Sequence, residues 1–313
     1  MSAENYFVNI QIDRSVGASN FSRVYLSTQR VTGRQIALKV IFKADQESTL
    51  IEKEKFLSDV LDSPHLVQIS DIFEDVNIII IKMEYVLGGD LFDWVYSKGT
   101  ISETGVSAVA HHILLGLKAL HSKGIIHRNI KPENILVSES NAGATVKLTD
   151  YCLAETIDTN SQLSELSSTE VCSAPEILRG EQYGPEVDVW SVGVILYTLM
   201  CGRRPFEEDE KYPLFLKVSS GQYTFDLPEW SIVSDDCKDF IRRMLEVDPA
   251  KRITVDEALK HPWLTGEYPD VAMESALKNL QFTIMGRKLK RVMGAAKTAS
   301  TFRQFTKLMM RSD

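Results

Sequence analysis

The spacing of hydrophobic positions changes part-way along the chain. Through residues 6–84 apolar side chains come in short runs. Val24-Tyr25-Leu26 and the stretch from Gln35 to Phe42 flank Thr32-Gly33, which predicts a β-hairpin closed by a turn. Two further strands are predicted around 66–73 and 78–83. Between the hairpin and these strands, residues 47–61 place Leu50, Phe56, Leu57, Val60 and Leu61 at helical spacing, which predicts a helix. After Gly88-Gly89 the period turns helical and stays so. An amphipathic helix is predicted over 106–122 with its stop near Gly124. Residues 187–200 are apolar nearly all round, the mark of a buried central helix. Shorter helices are predicted at 237–245 and 255–259. The expected fold class is therefore α+β and bilobal. A strand-rich N-lobe covers 1–84, a hinge 85–90, a helical C-lobe 91–264 and a tail 265–313. A cleft between two such lobes is a natural ligand site.

Composition changes this picture little, but charge refines it. With 44% hydrophobic and 25% charged residues the 313-residue chain has ordinary globular content. A formal net charge of −8 argues against a general nucleic-acid binder. From residue 282 to the end there are eight Lys/Arg against one acid, a local +7, so the remainder carries −15. An acidic body with a basic tail implies that the tail docks on something acidic. Cys152, Cys172, Cys201 and Cys237 form no C-x-x-C pair and read as reduced thiols. Met1-Ser2-Ala3-Glu4 does not open a secretory leader, Ser2 argues against myristoylation, and the apolar stretch 190–201 is too short to span a bilayer. A soluble, cytoplasmic protein without a membrane span is expected.

Several short motifs follow in a fixed order. Ile36-Ala37-Leu38-Lys39 lies on a predicted strand, and the run from His127 to Asn134 (His-Arg-Asn-Ile-Lys-Pro-Glu-Asn) follows a helix. Asp150-Tyr151-Cys152 comes next, then Ala174-Pro175-Glu176, then Asp188-Val189-Trp190-Ser191-Val192-Gly193, then Arg252. Together, over residues 6–264, they resemble the protein-kinase signature set. Gly88-Gly89-Asp90-Leu91-Phe92, the stretch from Asp248 to Thr254, and His261-Pro262-Trp263-Leu264 are similar to the calcium/calmodulin-dependent kinase group.

The resemblance implies ATP with Mg²⁺ as cofactors. Lys39 matches the lysine that neutralises the α/β-phosphates, and Glu54 the helix carboxylate that holds it, with Glu52 as the rival. Asn134 and Asp150 match the two metal-holding positions. Val16, Val24, Ala37 and Leu136 match an apolar adenine slot with Met83 at its back; Glu84 and Val86 match the connecting segment, and Asp90 is placed to reach the ribose. Gly17 opens the phosphate loop. Plain core packing explains the same apolar residues equally well. Glu176 and Arg252, by the family's pattern, form a buried ion pair.

The departures from the pattern carry the functional expectation. The glycine-rich loop reads Gly17-Ala18-Ser19-Asn20-Phe21-Ser22, and a Cβ at position 19 obstructs backbone approach to phosphate. Asn129 stands at the catalytic-base position; an amide orients a hydroxyl but does not take its proton. Tyr151 and Cys152 replace the Phe-Gly that aims Asp150. Ser168-Thr169-Glu170-Val171-Cys172 departs from the substrate platform, although Thr169 is retained. Two functions are expected from these residues. One is a pseudokinase, binding nucleotide as a signalling switch or scaffold, with phosphotransfer impaired or absent. The other is a slow or atypical Ser/Thr kinase in which Lys131, Lys39, Asn134 and Asp150 supply positioning and charge. Arg128, beside a Ser/Thr-rich stretch at 156–169, matches an arginine that pairs with a loop phosphate; a solvated polar loop explains the stretch as well. The tail, most clearly Arg287-Lys288-Leu289-Lys290-Arg291, resembles a calmodulin-binding regulatory segment over 282–305, with Leu289, Met293 and Phe302 as anchors. A membrane-surface helix and a disordered basic tail are the alternatives. His111-His112 has no metal-ligand spacing and reads as ordinary helix residues.

Overall fold

The computed structural model describes residues 8–18, 22–42, 62–74, 78–140, 143–150, 155–156, 172–208 and 210–286. The helix expected over 47–61 with Glu52 and Glu54, the loop residues Ser19, Tyr151, Cys152 and Thr169, and the basic segment from 287 onward lie outside them. The chain divides into two compact units, one holding 8–42 and 67–86, the other 62–66 and 87–284.

The first unit is an antiparallel sheet of five strands, β1 (Ile10–Ala18), β2 (Ser22–Gln29), β3 (Gln35–Phe42), β4 (Ile69–Glu74) and β5 (Ile78–Glu84), in the order β1-β2-β3-β5-β4. The expected hairpin is β2–β3, its turn closed by the Gly33 N–H donating to the Gln29 carbonyl at 2.8 Å. Alternation along β3 assigns two faces. Ile36, Leu38 and Val40 pack with Ile10, Tyr25, Phe73 and Ile80 in one apolar core. Ala37 and Lys39 project to the other face.

The second unit is helical. Its named helices are α1 (Leu91–Lys98), α2 (Glu103–His121), α3 (Pro175–Arg179), α4 (Glu186–Cys201), α5 (Lys211–Ser220), α6 (Asp235–Met244), α7 (Val255–Ala258) and α8 (Pro262–Thr265), and further helical backbone lies past residue 273. Two-stranded ribbons β6–β9 (Ile125–Ile126, Glu155–Thr156) and β7–β8 (Ile135–Ser140, Gly143–Leu148) complete it. Side-chain oxygens start the helices where the sequence supplies them. Asp90 caps α1, Ser102 α2 and Ser234 α6, and Thr254 with Glu257 forms a capping box on α7. The central α4 buries Val187 through Trp190 and Val192 through Cys201. A circumference apolar nearly all round has no favourable place except inside, at about 1.5–3 kcal/mol for each large side chain removed from water.

The strand predicted over 66–73 divides in two. Leu66 bridges to Leu148 in the helical unit, and β4 begins only at Ile69. Residues 265–284, given to the tail on sequence grounds, pack within the second unit. The backbone over 274–286 is helical, Ala276 and Leu280 are buried, and the Asn279 amide donates to the Cys201 carbonyl at 3.1 Å and to Glu229 at 2.7 Å. A Cβ on Gly202 (φ +75°) would lie 2.2 Å from the Ala276 carbonyl oxygen, so this contact demands glycine. Among the described residues no helix is long and apolar enough to cross a membrane.

Candidate functional site

In the first unit the strand register gathers the nucleotide-matching residues. Val24 pairs with Lys39 and Lys39 with Ile81, while Leu26 pairs with Ala37 and Ala37 with Met83. Directly paired residues share a face, so Val24, Ala37, Lys39 and Met83 form one patch opposite the apolar core. Gly17 joins it as the partner of Val24. Val16 lies beside the bulge of β1 and is 39% exposed. Lys39 is buried at 6% exposure; an ammonium is held so deep only when partnered. The Glu84 N–H donates to the Gln68 carbonyl at 2.9 Å, and its carboxylate accepts from the Gln68 N–H at 2.9 Å. That carboxylate therefore ties β5 to the chain ahead of β4. Val86 is buried.

In the second unit the turn Gly88-Gly89-Asp90 docks on β7. The Gly88 N–H donates to the Val137 carbonyl at 2.9 Å, the Val137 N–H to the Gly89 carbonyl at 3.0 Å, and Asp90 bridges to Leu136. A Cβ on Gly88 would stand 2.3 Å from that Val137 oxygen. Asp90 and Leu136, assigned to ribose and adenine, are thus neighbours. The Asp90 carboxylate also caps α1, accepting from the Asp93 N–H at 3.0 Å.

The segment 127–134 is pinned from several sides. The backbone N–H groups of His127 and Arg128 each donate at 2.8 Å to the Asp188 carboxylate, and His121 Nε2 meets the same group at 2.9 Å. Burial pushes the Asp188 carboxyl up, but the hydrogen bond and charge of His121, with His127, hold it below the usual carboxylate range. His127 is wholly buried; burial outweighs the nearby carboxylates and lowers its pKa, leaving a neutral ring that meets the Thr149 carbonyl at 3.1 Å. Arg128 is held at φ +65°. Sequence reading placed Asp188 in a motif but gave it no task. The available signal was an acid near the start of an otherwise apolar helix.

Asn129, Asn134 and Asp150 come together. The Asn129 amide Nδ2 donates to Asp150 Oδ2 at 3.0 Å, and the Asn134 amide Nδ2 donates to the Asn129 carbonyl at 2.8 Å. The Asn134 carbonyl accepts from the Thr149 N–H at 3.0 Å, joining the loop to the end of β8. Asp150 is held at φ +70°, a left-handed conformation that non-glycine residues adopt at a cost of about 1–2 kcal/mol. The donor set suits a hard divalent cation in part. Asn134 spends its N–H on the loop and keeps an amide oxygen, and Asp150 contributes a carboxylate. The base position contributes an amide N–H where a second acid would add charge. Lys131 is half-buried, one residue ahead of the 3₁₀ turn Pro132–Asn134.

Elsewhere the Glu176–Arg252 pair expected from the motifs is present, buried and bidentate, at 2.6 and 3.0 Å. Cys172, Cys201 and Cys237 are free thiols. Burial raises Cys172 and Cys201 to about 12, far from a nucleophilic thiolate. His112 is half-buried with its ring 4.9 Å from that of His65, a juxtaposition the sequence did not foretell. The described residues contain no group of three or more side chains arranged to hold a metal by themselves.

Comparison with known proteins accounts for these arrangements. Residues 10–264 match the protein kinase domain. The chain is 36% identical over 293 residues to human calcium/calmodulin-dependent protein kinase type IV, covering 93% of this chain and 62% of that protein. It is 34% identical over 277 residues to calcium-dependent protein kinase 34 of Arabidopsis thaliana, covering 85% of this chain and 52% of the plant protein. It therefore spans between half and two-thirds of these relatives' lengths. The strand lysine, the pinned 127–134 segment, the Asp150 turn and the match across both units lead to one conclusion: this chain belongs to the protein kinase domain family.

Proposed function

We propose that this chain is a nucleotide-binding pseudokinase, a protein kinase domain that works as a cytoplasmic signalling switch or scaffold with phosphotransfer impaired or absent. The observation that carries the reading is the Asn129 amide, hydrogen-bonded to Asp150 where a proton acceptor is needed. General-base help is worth about 10²–10⁴ in rate, or roughly 3–5 kcal/mol of barrier. The rest of the apparatus favours retained binding: Lys39, Ala37, Val24 and Met83 share a face of the sheet, and Asn134 and Asp150 sit within one bonded loop system. Divalent metal, when bound, neutralises phosphate charge, and Asp150 with Asn134 would hold it. By analogy with the calcium/calmodulin-dependent relative, the basic segment 282–305 is the calmodulin site of the switch. The described start of that segment is helical, with Phe282 and Met285 exposed.

The test combines nucleotide binding with a phosphotransfer assay on one preparation, with calcium–calmodulin present. Saturable ATP binding without peptide labelling is expected. Peptide labelling at ordinary kinase rates would overturn the reading. The slower-kinase alternative is favoured by the intact Lys39 and Asp150. It requires a metal-dependent activity that Lys39→Met abolishes.

A further inference from the structure

We propose that Asn129 frees nucleotide binding in this chain from its usual demand for divalent cation, by standing as a built-in hydrogen-bond donor on Asp150. The inference rests on the nucleotide-binding reading above and concerns how that same site is governed.

The direction of the bond is fixed by chemistry. An ionised carboxylate only accepts, so the 3.0 Å contact between the Asn129 side chain and Asp150 Oδ2 is N–H to oxygen. The donor is also held in place. Asn129 is buried, its carbonyl accepts from the Asn134 amide, and its N–H meets His127 Nδ1 at 3.3 Å. His127 in turn is fixed by Asp188 and by the Thr149 carbonyl. Asp150 is constrained from its own side by the left-handed backbone. Two anchored groups therefore meet, and the amide does not swing away at little cost.

Two consequences follow, and they point the same way. A cation using Oδ2 must share that oxygen with a resident N–H. It also faces a pair with formal charge −1, where a carboxylate at 129 would make it −2; cation affinity follows the charge count of its ligands. A triphosphate arriving without metal meets one negative charge fewer beside Asp150, so less repulsion stands against metal-free binding. Metal is less attracted, and bare nucleotide less repelled.

The experiment measures equilibrium binding of ATP to the purified full chain, once in EDTA and once in millimolar Mg²⁺. The expected ratio of the two dissociation constants is within about threefold for the unmodified protein, and at least about tenfold for Asn129→Asp, weaker in EDTA. Asn129→Leu, which removes the donor without adding charge, should fall between. A ratio above about tenfold in the unmodified protein overturns the proposal, and needs no variant to be seen. An unchanged ratio in a folded Asn129→Asp protein overturns it as well. Absence of binding in both conditions would instead sink the nucleotide-binding reading, and this inference with it.

Discussion

Removing Arg252 should destabilise the helical unit more than any loss of a surface charge. Its guanidinium makes two parallel bonds to Glu176, at 2.6 and 3.0 Å, with both side chains at 1% exposure or less. It also donates to the Glu246 carbonyl at 2.8 Å and the Glu186 carbonyl at 3.0 Å, and lies 5.0 Å from the centre of the Trp190 ring. The pair thus joins α3, the start of α4 and the turn after α6. Arg252→Met keeps the apolar stem but leaves the Glu176 carboxylate buried without a counter-charge. Breaking a buried pair in this way costs about 3–5 kcal/mol, mostly the penalty of the abandoned charge. In a unit of roughly 200 residues each kcal/mol lowers Tm by about 2–4 °C, so a fall of about 6–20 °C is expected. Calorimetry measures it directly. The double variant Glu176→Leu/Arg252→Met removes both charges and should recover part of the loss. An exposed pair of similar length, Lys118 to Asp256 at 2.7 Å, serves as control. Lys118→Ala should leave Tm unchanged within error, since solvent screens the pair. If Arg252→Met shifts Tm no more than Lys118→Ala, the assignment of this pair as the brace of the unit is wrong.

Three further outcomes are expected. Stability should decline below about pH 6.5, because burial lowers the pKa of both His65 and His112 from 6.5, so unfolding lets them take up protons; their contribution is complete above 6.5 and lost as pH falls. His111 and Lys147 add repulsion, and a protonated His112 no longer accepts the Val146 N–H, so His112→Gln should flatten the pH dependence of the urea midpoint; an unaltered slope would refute the role of this ring. Gly88→Ala should cost about 1–3 kcal/mol by pushing the turn off the Val137 carbonyl, read as a lower urea midpoint, whereas an unchanged midpoint would mean that the turn yields freely. Calcium–calmodulin should bind the chain in a salt-sensitive manner, and Leu289→Asp should weaken that binding at least about tenfold in a fluorescence titration; equal affinity would remove 282–305 as the site.

Periodicity and motif order made much of the molecule legible before any packing was known. Apolar runs at 24–26 and 35–42 flanking Thr32-Gly33 gave the β2–β3 hairpin, the nearly all-round apolar stretch at 187–200 gave α4, and Gly88-Gly89 marked the change from strand to helix. The ordered motifs led to the kinase family, and Asn129 with the departures at Ser19, Cys152 and Val171 raised the question of activity. These features are local, because a side chain's face follows from its neighbours two or four places away. Tertiary structure decided what each polar group is bonded to. Asn129 and Asp150 are 21 residues apart, His65 and Val146 81 apart, and Asp188 reaches back 60 to fix Arg128. Asp90 reads as a ribose ligand in sequence, and the fold adds that its carboxylate caps the start of α1. Such pairings depend on how the chain closes on itself, since a buried donor takes whichever acceptor packing brings within about 3 Å.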